Sequence, residues 1–335
     1  MKFVTFLFMI LTICILSHSS LSLTYATRGL ELWLYKMVPS LLPFMILSGI
    51  MVRLKLTEKM AGVIYPVIGP LYRVSKNVVY CMALGFLCGF PMGARVTGDL
   101  YEREMLTRRE AEYLLAFCNN IGPVYFGSFV LPLLGRKLVI PYLFGMYGIP
   151  LLYGLALRYT VYQDLSSGKE ALAASPAGEL RSCSAESRRL GQPRMKNGLR
   201  NRTKHGQPRQ PKGLLGAVNE SVQASLQSML LLGGYMILFN LLNLPFHILL
   251  GREPALISPI LEITGGLSML GGGLPLYSLL ALSFGGLSCI AQTYSCISAT
   301  DLRLDSYIRH KIMLTLLCGV FYLCWFLLSP ASFLL

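Results

Sequence analysis

Charged residues are few in this chain of 335 residues. Asp, Glu, Lys and Arg make up 14% of it, where an ordinary soluble domain carries about one quarter. With 54% hydrophobic residues and a mean hydropathy of +0.56, that shortage excludes an ordinary soluble domain. Histidine is scarcer still: His18, His205, His247 and His310 are scattered, which argues against a histidine-based metal site or enzyme centre. The nine cysteines lack the paired spacing of a zinc site, Cys289 and Cys296 being too far apart. Eight of them lie in apolar segments and read as small reduced core residues, with Cys183 alone in a long loop. No G-x-x-x-x-G-K-S/T run occurs, so the chain has no P-loop with which to use ATP or GTP.

What it has instead is a series of uncharged apolar stretches of about 20 residues, each long enough to cross roughly 30 Å of hydrocarbon. Lipid cannot satisfy backbone polar groups, so such segments must be helical. Spans are expected at 3–23, 33–52, 113–135, 138–157, 222–243 and 312–335. The run 3–16 has the size of a signal-peptide core, but the uncharged stretch continues to Thr27 without a clear small-x-small cleavage site, which favours a retained span. The fold class is therefore an all-α polytopic membrane protein with about seven to nine transmembrane helices. Its organisation is a first helix in 1–32, one half in 33–157, a basic loop in 158–216 and a second half in 217–335.

Two regions are apolar but poor as simple spans. Segment 78–94 is interrupted by Gly85, Gly89, Pro91 and Gly93, and 254–300 carries one charge, Glu262, among many glycines. The second is long enough for one crossing plus a re-entrant hairpin. Irregular backbone survives at membrane depth only inside protein or beside water, so two such interruptions point to a site at the midplane; close helix packing through small residues is the alternative for each glycine taken singly.

Basic residues outnumber acidic ones by 30 to 16, a net charge of +14, and 166–213 holds eleven Lys or Arg against three Glu, so +8 of that total. Such an excess marks the cytoplasmic side. If 78–94 is a hairpin, Lys2, 53–76, 95–112 and the long loop all share that side. The loop, 163–212, is rich in Ser, Pro, Gly, Gln and Arg, repeats GQPR at 191–194 and 206–209, and reads as disordered. No aromatic is interleaved with its arginines, so nucleic acid is not an expected partner.

Four constellations could carry chemistry. Thr107-Arg108-Arg109-Glu110 has capping-box spacing and starts a helix that runs into Asn119-Asn120-Ile121-Gly122-Pro123. Paired amides beside Gly-Pro, which frees carbonyls from helix bonds, suit a polar solute or a cation; interhelical hydrogen bonding is the alternative. The hairpin 85–95 presents glycines and helix N-termini, with Arg95 at its edge, a combination that favours an anionic group, or else Arg95 simply snorkels. Glu262, in Leu261-Glu262-Ile263-Thr264-Gly265-Gly266, is a candidate coupling-ion ligand or proton carrier unless it faces interfacial water. Gly285, Gly286, Ser288 and Gln292 repeat glycines followed by polar groups, the last two sharing a helix face.

These residues carry a family likeness. Pro39-Ser40-Leu41-Leu42-Pro43-Phe44, GFLCGFPMGAR at 85–95, NNIGP at 119–123, LEITGG at 261–266 and FGGLSCIAQ at 284–292 occur in the order of the sporulation integral membrane protein family of endospore-forming Firmicutes (YlbJ type), with its nucleoside-recognition or Gate domain, and the chain resembles that family over nearly all its length outside the basic loop. The resemblance implies a transporter-like fold of two Gate-like halves, a role in making resistant spores, and dipicolinate, a small aromatic dicarboxylate, as solute. It implies that Gly89, Pro91 and Gly93 form the first hairpin turn, Asn119, Asn120 and Gly122 an unwound helix, Glu262 and Gly265 its counterpart, and Gly285, Gly286, Ser288 and Gln292 the second hairpin; Thr264, between Glu262 and Gly265, is a further candidate for the substrate site.

The expectation is a secondary or facilitated transporter of a small anionic solute, embedded in the bilayer of the cell membrane or of the outer membrane around the forespore. H+ or Na+ is the expected coupling ion; no cofactor or metal is expected, and a homo-oligomer is open. A nucleoside or ion transporter of the Gate type is the alternative, as is a non-transporting scaffold for a sporulation complex. An enzyme is not expected, because carboxylates and histidines do not cluster.

Overall fold

The computed structural model describes residues 2–54, 56–165 and 213–329, and all their regular secondary structure is helical. The basic loop with its GQPR repeats, Cys183 and His205, and the end of the expected span 312–335, lie outside the described residues. In chain order the elements are α1 (Lys2–Ser17), α2 (Ser19–Arg53), α3 (Thr57–Tyr72), α4 (Lys76–Cys88), α5 (Met92–Glu102), α6 (Arg108–Phe117), α7 (Pro123–Leu134), α8 (Arg136–Thr160), α9 (Leu214–Leu250), α10 (Ser258–Leu261), α11 (Ile263–Leu270), α12 (Pro275–Phe284), α13 (Gly286–Ile297) and α14 (Leu304–Leu328). Among the described residues five segments are long and apolar enough to cross a membrane: α2, α8, α9, α12 with α13, and α14; residues 5–17, α4 and α7 are shorter apolar helices.

Three expected spans differ in their limits. Segment 3–23 is split at His18, and its second part runs on as the 35-residue α2. Segment 113–135 is divided by extended backbone at 118–122 into α6 and α7. The last span begins at Leu304, eight residues before the expected start, because the exposed Asp305 and Arg309 fit a helix whose first turns leave the apolar layer. Within α2, α7 and α8, wide turns at Trp33–Met37, Phe126–Val130 and Phe144–Gly148 each end two residues before a proline. Proline lacks an N–H and crowds the carbonyl four residues back, and a locally wider helix accommodates both defects.

Ion pairs set the directions of the long helices. Arg28 meets Glu253 at 2.9 Å, next to the start of α2 and the end of α9, while Arg53 meets Glu220 at 3.4 Å at their other ends, so the two run antiparallel. Ser75 donates to Glu110 Oε1 at 2.8 Å, which sets the start of α4 beside the start of α6. The capping box is formed: Thr107 Oγ1 accepts from Glu110 N, and Thr107 N donates to Glu110 Oε2. Helices α4 and α5 therefore make a hairpin that enters and leaves on one face. At 13 residues α4 rises about 20 Å, short of a crossing.

Onto that face also come the end of α8, where Arg109 binds Asp164 at 3.1 Å and holds its carboxyl below the usual range, and the start of α14, where Arg108 meets Asp301 at 3.2 Å. Buried Arg158 closes the corner by donating to the carbonyls of Arg73, Tyr162 and Leu165. Leu165, and the start of α9 near Glu220, the described parts that flank the basic loop in sequence, also lie at this face, which is called the basic face below.

The second half departs from expectation. Helices α12 and α13 do not pack along one another, so Gly285 and Gly286, both at φ +81°, interrupt a continuing span and do not turn a hairpin. The reversal occurs at Glu262, extended at φ −141° and ψ 118°, which folds α11 back on α10 until Gly266 lies against Pro259. With the turn so placed, the two halves run long helix, hairpin, interrupted helix, full span in the same order and in opposite directions through the layer, the inverted arrangement that puts sites at mid-depth.

The first hairpin is wedged tightly against the unwound segment. A Cβ at Gly85 or at Gly93 would collide with the carbonyl of Cys118, and one at Gly89 with the backbone of Gly122. Gly93→Val should therefore force the hairpin off its seat and lower the melting temperature in detergent by an overpacking cost of about 1–3 kcal/mol or more. Gly234→Ala, with nothing within 4 Å of the added carbon, should leave it unchanged; equal melting of the two variants would contradict this packing.

Candidate functional site

Both interruptions meet at one level. The tip of the first hairpin is Gly89-Phe90-Pro91, with Gly89 at φ +77° and a cis Phe90–Pro91 bond. Phe90 N donates to Asn120 O at 2.7 Å, and the Phe90 ring lies beside Gly285, where a Cβ would come within 3.0 Å of it. Asn119 Nδ2 donates to Thr293 Oγ1 at 2.8 Å, and Tyr125 OH donates to Thr264 Oγ1 at 3.2 Å. Three separate contacts thus tie the first hairpin, the unwound segment and α7 to both interrupted elements of the second half.

A cavity of about 50 Å³ sits in this junction, lined among others by Cys88, Phe90, Gly122, Glu262, Thr264 and Gln292. Its other wall includes Met37 and Leu232, and each lies within a residue of the centre of its long helix, α2 or α9. The cavity is thus level with the middle of both long helices, with room for a few waters.

A second cavity of about 220 Å³ lies between α5, the first half of α9 and α13, toward the basic face. Arg95, Asp99 and Glu102 line it with Gln227, Ser228 and Ser295, and Leu232 and Gln292 belong to the walls of both cavities. Arg95 is 7% exposed; its Nε is 3.9 Å from Asp99, the outer limit for an ion pair, and its Nη1 is buried without a hydrogen-bond partner. A buried guanidinium nitrogen lacking an acceptor is costly unless an acceptor arrives.

The expected site residues divide into two groups. Pro91, Arg95, Gly122, Glu262, Thr264 and Gln292 line the cavities. Gly89, Gly93, Asn119, Asn120, Gly265, Gly285 and Gly286 stand behind those walls and hold the elements in contact, and Ser288 is buried beside them. Glu262 faces the deep cavity, and its oxygens accept from Thr264 N at 3.0 Å, Gly265 N at 2.6 Å and Asn240 Nδ2 at 3.2 Å. It is at once the cap of α11 and the corner of the second hairpin.

The carbonyls freed around Gly-Pro are largely used within the protein. Phe117 O accepts from Asn120 Nδ2 at 2.6 Å and Ile121 O from Tyr147 OH at 3.0 Å. Lys311 Nζ donates to Asn120 Oδ1 at 3.2 Å and to Asn119 O at 3.4 Å. Lys311, 2% exposed, is a site residue that sequence reasoning missed, because the apolar run was begun one residue after it. Asn240 was also missed, although an amide inside the apolar run 236–242 was a usable signal. Among the described residues no cluster of His, Cys, Asp or Glu could hold a metal ion.

No family model matches the chain, and no solved structure matches it significantly. A curated protein does: over 355 aligned residues the chain is 26% identical to the Sporulation integral membrane protein YlbJ of Bacillus subtilis (strain 168), and the alignment covers 94% of this chain and 80% of that protein. That similarity over most of both proteins, joined to five helices among the described residues that are long and apolar enough to cross a membrane, supports a multi-pass membrane protein similar to this sporulation integral membrane protein.

Proposed function

We propose that the protein carries a small anionic solute across a membrane of the sporulating cell, by a secondary or facilitated mechanism, with the basic face toward the cytoplasm. The observation that carries this reading is Arg95: a buried cation whose Nη1 has no partner, on the wall of a cavity that shares Gln292 with the mid-depth junction. A solute carboxylate supplies the missing acceptor. Gln227, Ser228, Tyr235 and Gln292 offer donors for a second polar end.

A space of about 220 Å³ is below the range for drug-sized ligands and suits a solute of about a dozen heavy atoms. A small aromatic dicarboxylate such as dipicolinate, the solute that the family resemblance implies, has that size and charge. Asp99 and Glu102 on the same wall keep anion binding weak, as passage requires. The deep cavity, at about 50 Å³, is too small for the solute in this conformation, so passage requires the two hairpins to part there. The membrane around the forespore is the setting this reading favours.

Purified protein in liposomes should move labelled dipicolinate. Arg95→Met should lower the flux on the order of 10–100-fold, the worth of a charge-assisted hydrogen bond, and Arg95→Lys should restore part of it. Flux no greater than that of empty vesicles under several ion gradients would end the dipicolinate claim, and nucleosides and divalent metals run in parallel would identify a different cargo. Glu262→Gln turns an acceptor into a donor facing donors; it should reduce stability by about 1–3 kcal/mol, measured as thermal melting in detergent. Unchanged melting would remove the capping role.

A further inference from the structure

Lys311 is an ammonium buried among apolar helices, and among the described residues no carboxylate forms an ion pair with it. Its surroundings are those of a small bound cation. Asn120 Oδ1 and Asn119 O accept from Nζ, and the face of the Phe90 ring lies 4.5 Å away. Two of these groups belong to the unwound segment and the third to the hairpin tip. The ammonium therefore bridges the two parts that must stay together for the junction to exist. Charged hydrogen bonds and a desolvated cation–π contact each contribute more here than at a surface.

We infer that Lys311 is a tethered cation occupying a monovalent-cation site made by Asn119 O, Asn120 Oδ1 and the Phe90 ring, so that the hairpin tip is held to the unwound segment without any dissolved cation. The consequence, which rests on the transport reading, is that solute flux does not depend on Na+. The site itself stands apart from that reading. It needs only that removal of the side-chain ammonium leaves a space of the right chemistry for a small monovalent cation, with Cys289 and Cys318 as the other titratable neighbours.

The test uses the full chain in detergent, melted in sodium, ammonium, methylammonium or N-methyl-D-glucamine chloride at one ionic strength. Wild-type protein should melt at the same temperature in all four salts. Lys311→Ala should melt about 5–10 °C lower in N-methyl-D-glucamine and regain about half of that loss in ammonium, methylammonium or sodium, as linkage to a bound ligand requires. Lys311→Met, which fills the space without charge, should be destabilised in every salt and recover in none.

Wild-type protein stabilised by sodium over N-methyl-D-glucamine would overturn the inference, as would Lys311→Ala melting alike in all four salts. The wild-type series decides the matter if Lys311→Ala does not fold. Because no readout involves an anion, failed dipicolinate flux alongside cation-rescued melting would sink the transport reading and leave this one intact.

Discussion

The unwound backbone between Cys118 and Gly122 is the constraint on which the rest of the arrangement depends. A helix broken at membrane depth exposes carbonyls that lipid cannot satisfy, at several kcal/mol for each one left unpaired. Here the donors come from elsewhere: Phe90 N from the first hairpin, Tyr147 OH from α8 and Lys311 from α14. Glycines at 85 and 93 allow two helices to press against the same carbonyl, that of Cys118. The break is therefore the hub at which α4, α5, α8 and α14 are fixed relative to one another, and a motion that opens the junction must carry the hairpin tip and the unwound strand together or replace their shared hydrogen bonds.

The two cavities take their shapes from that hub. The deep one is bounded by groups already engaged with each other, Glu262 with its cap and Tyr125 with Thr264, and its volume is small. The outer one is bounded by the exit side of the hairpin, where Arg95 and Asp99 approach only to 3.9 Å and polar side chains of α9 and α13 complete the wall. Gln292, common to both, is nearly two turns past the break at Gly285 and Gly286 and next to Thr293, the partner of Asn119. A shift of α13 therefore moves the side chain between the cavities and the bond that joins the halves at once.

Much of this was legible in the residues. A Thr-x-x-Glu spacing gave the start of α6, and paired amides before Gly-Pro gave the break, because each pattern has one strong local explanation. The second hairpin was misplaced for an equally physical reason. Gly285-Gly286 looks like a turn, yet its lack of side chains serves the close approach of Phe90 and of the backbone around Pro259. The true corner is a carboxylate in an extended residue that caps the next helix, and in sequence such a residue resembles an ionisable membrane acid. Lys311 escaped notice because a hydropathy boundary treats a charge as an end. In the fold it lies inside α14 with its acceptors nearly 200 residues away, and no local pattern announces them.

Correcting the second turn also changes what the halves have in common. With the hairpin placed at Glu262, each half places a hairpin before an interrupted helix and a full span after it, and the directions are opposite. The chemistry at the corresponding positions is not the same. The hairpin from the basic face brings Arg95 to a cavity of about 220 Å³, whereas the hairpin from the other face has Gly266 pressed on Pro259 and its carboxylate turned to its own backbone. Under the transport reading this is a conformation accessible from the basic face and shut toward the other. Parting α10 from α11, or both from Gly286, is then the movement that opens the far side. It would uncover backbone around Pro259 that Gly266 and Gly286 now cover, so the far gate is held by close packing of small residues, and the near one by the polar contacts of the hub.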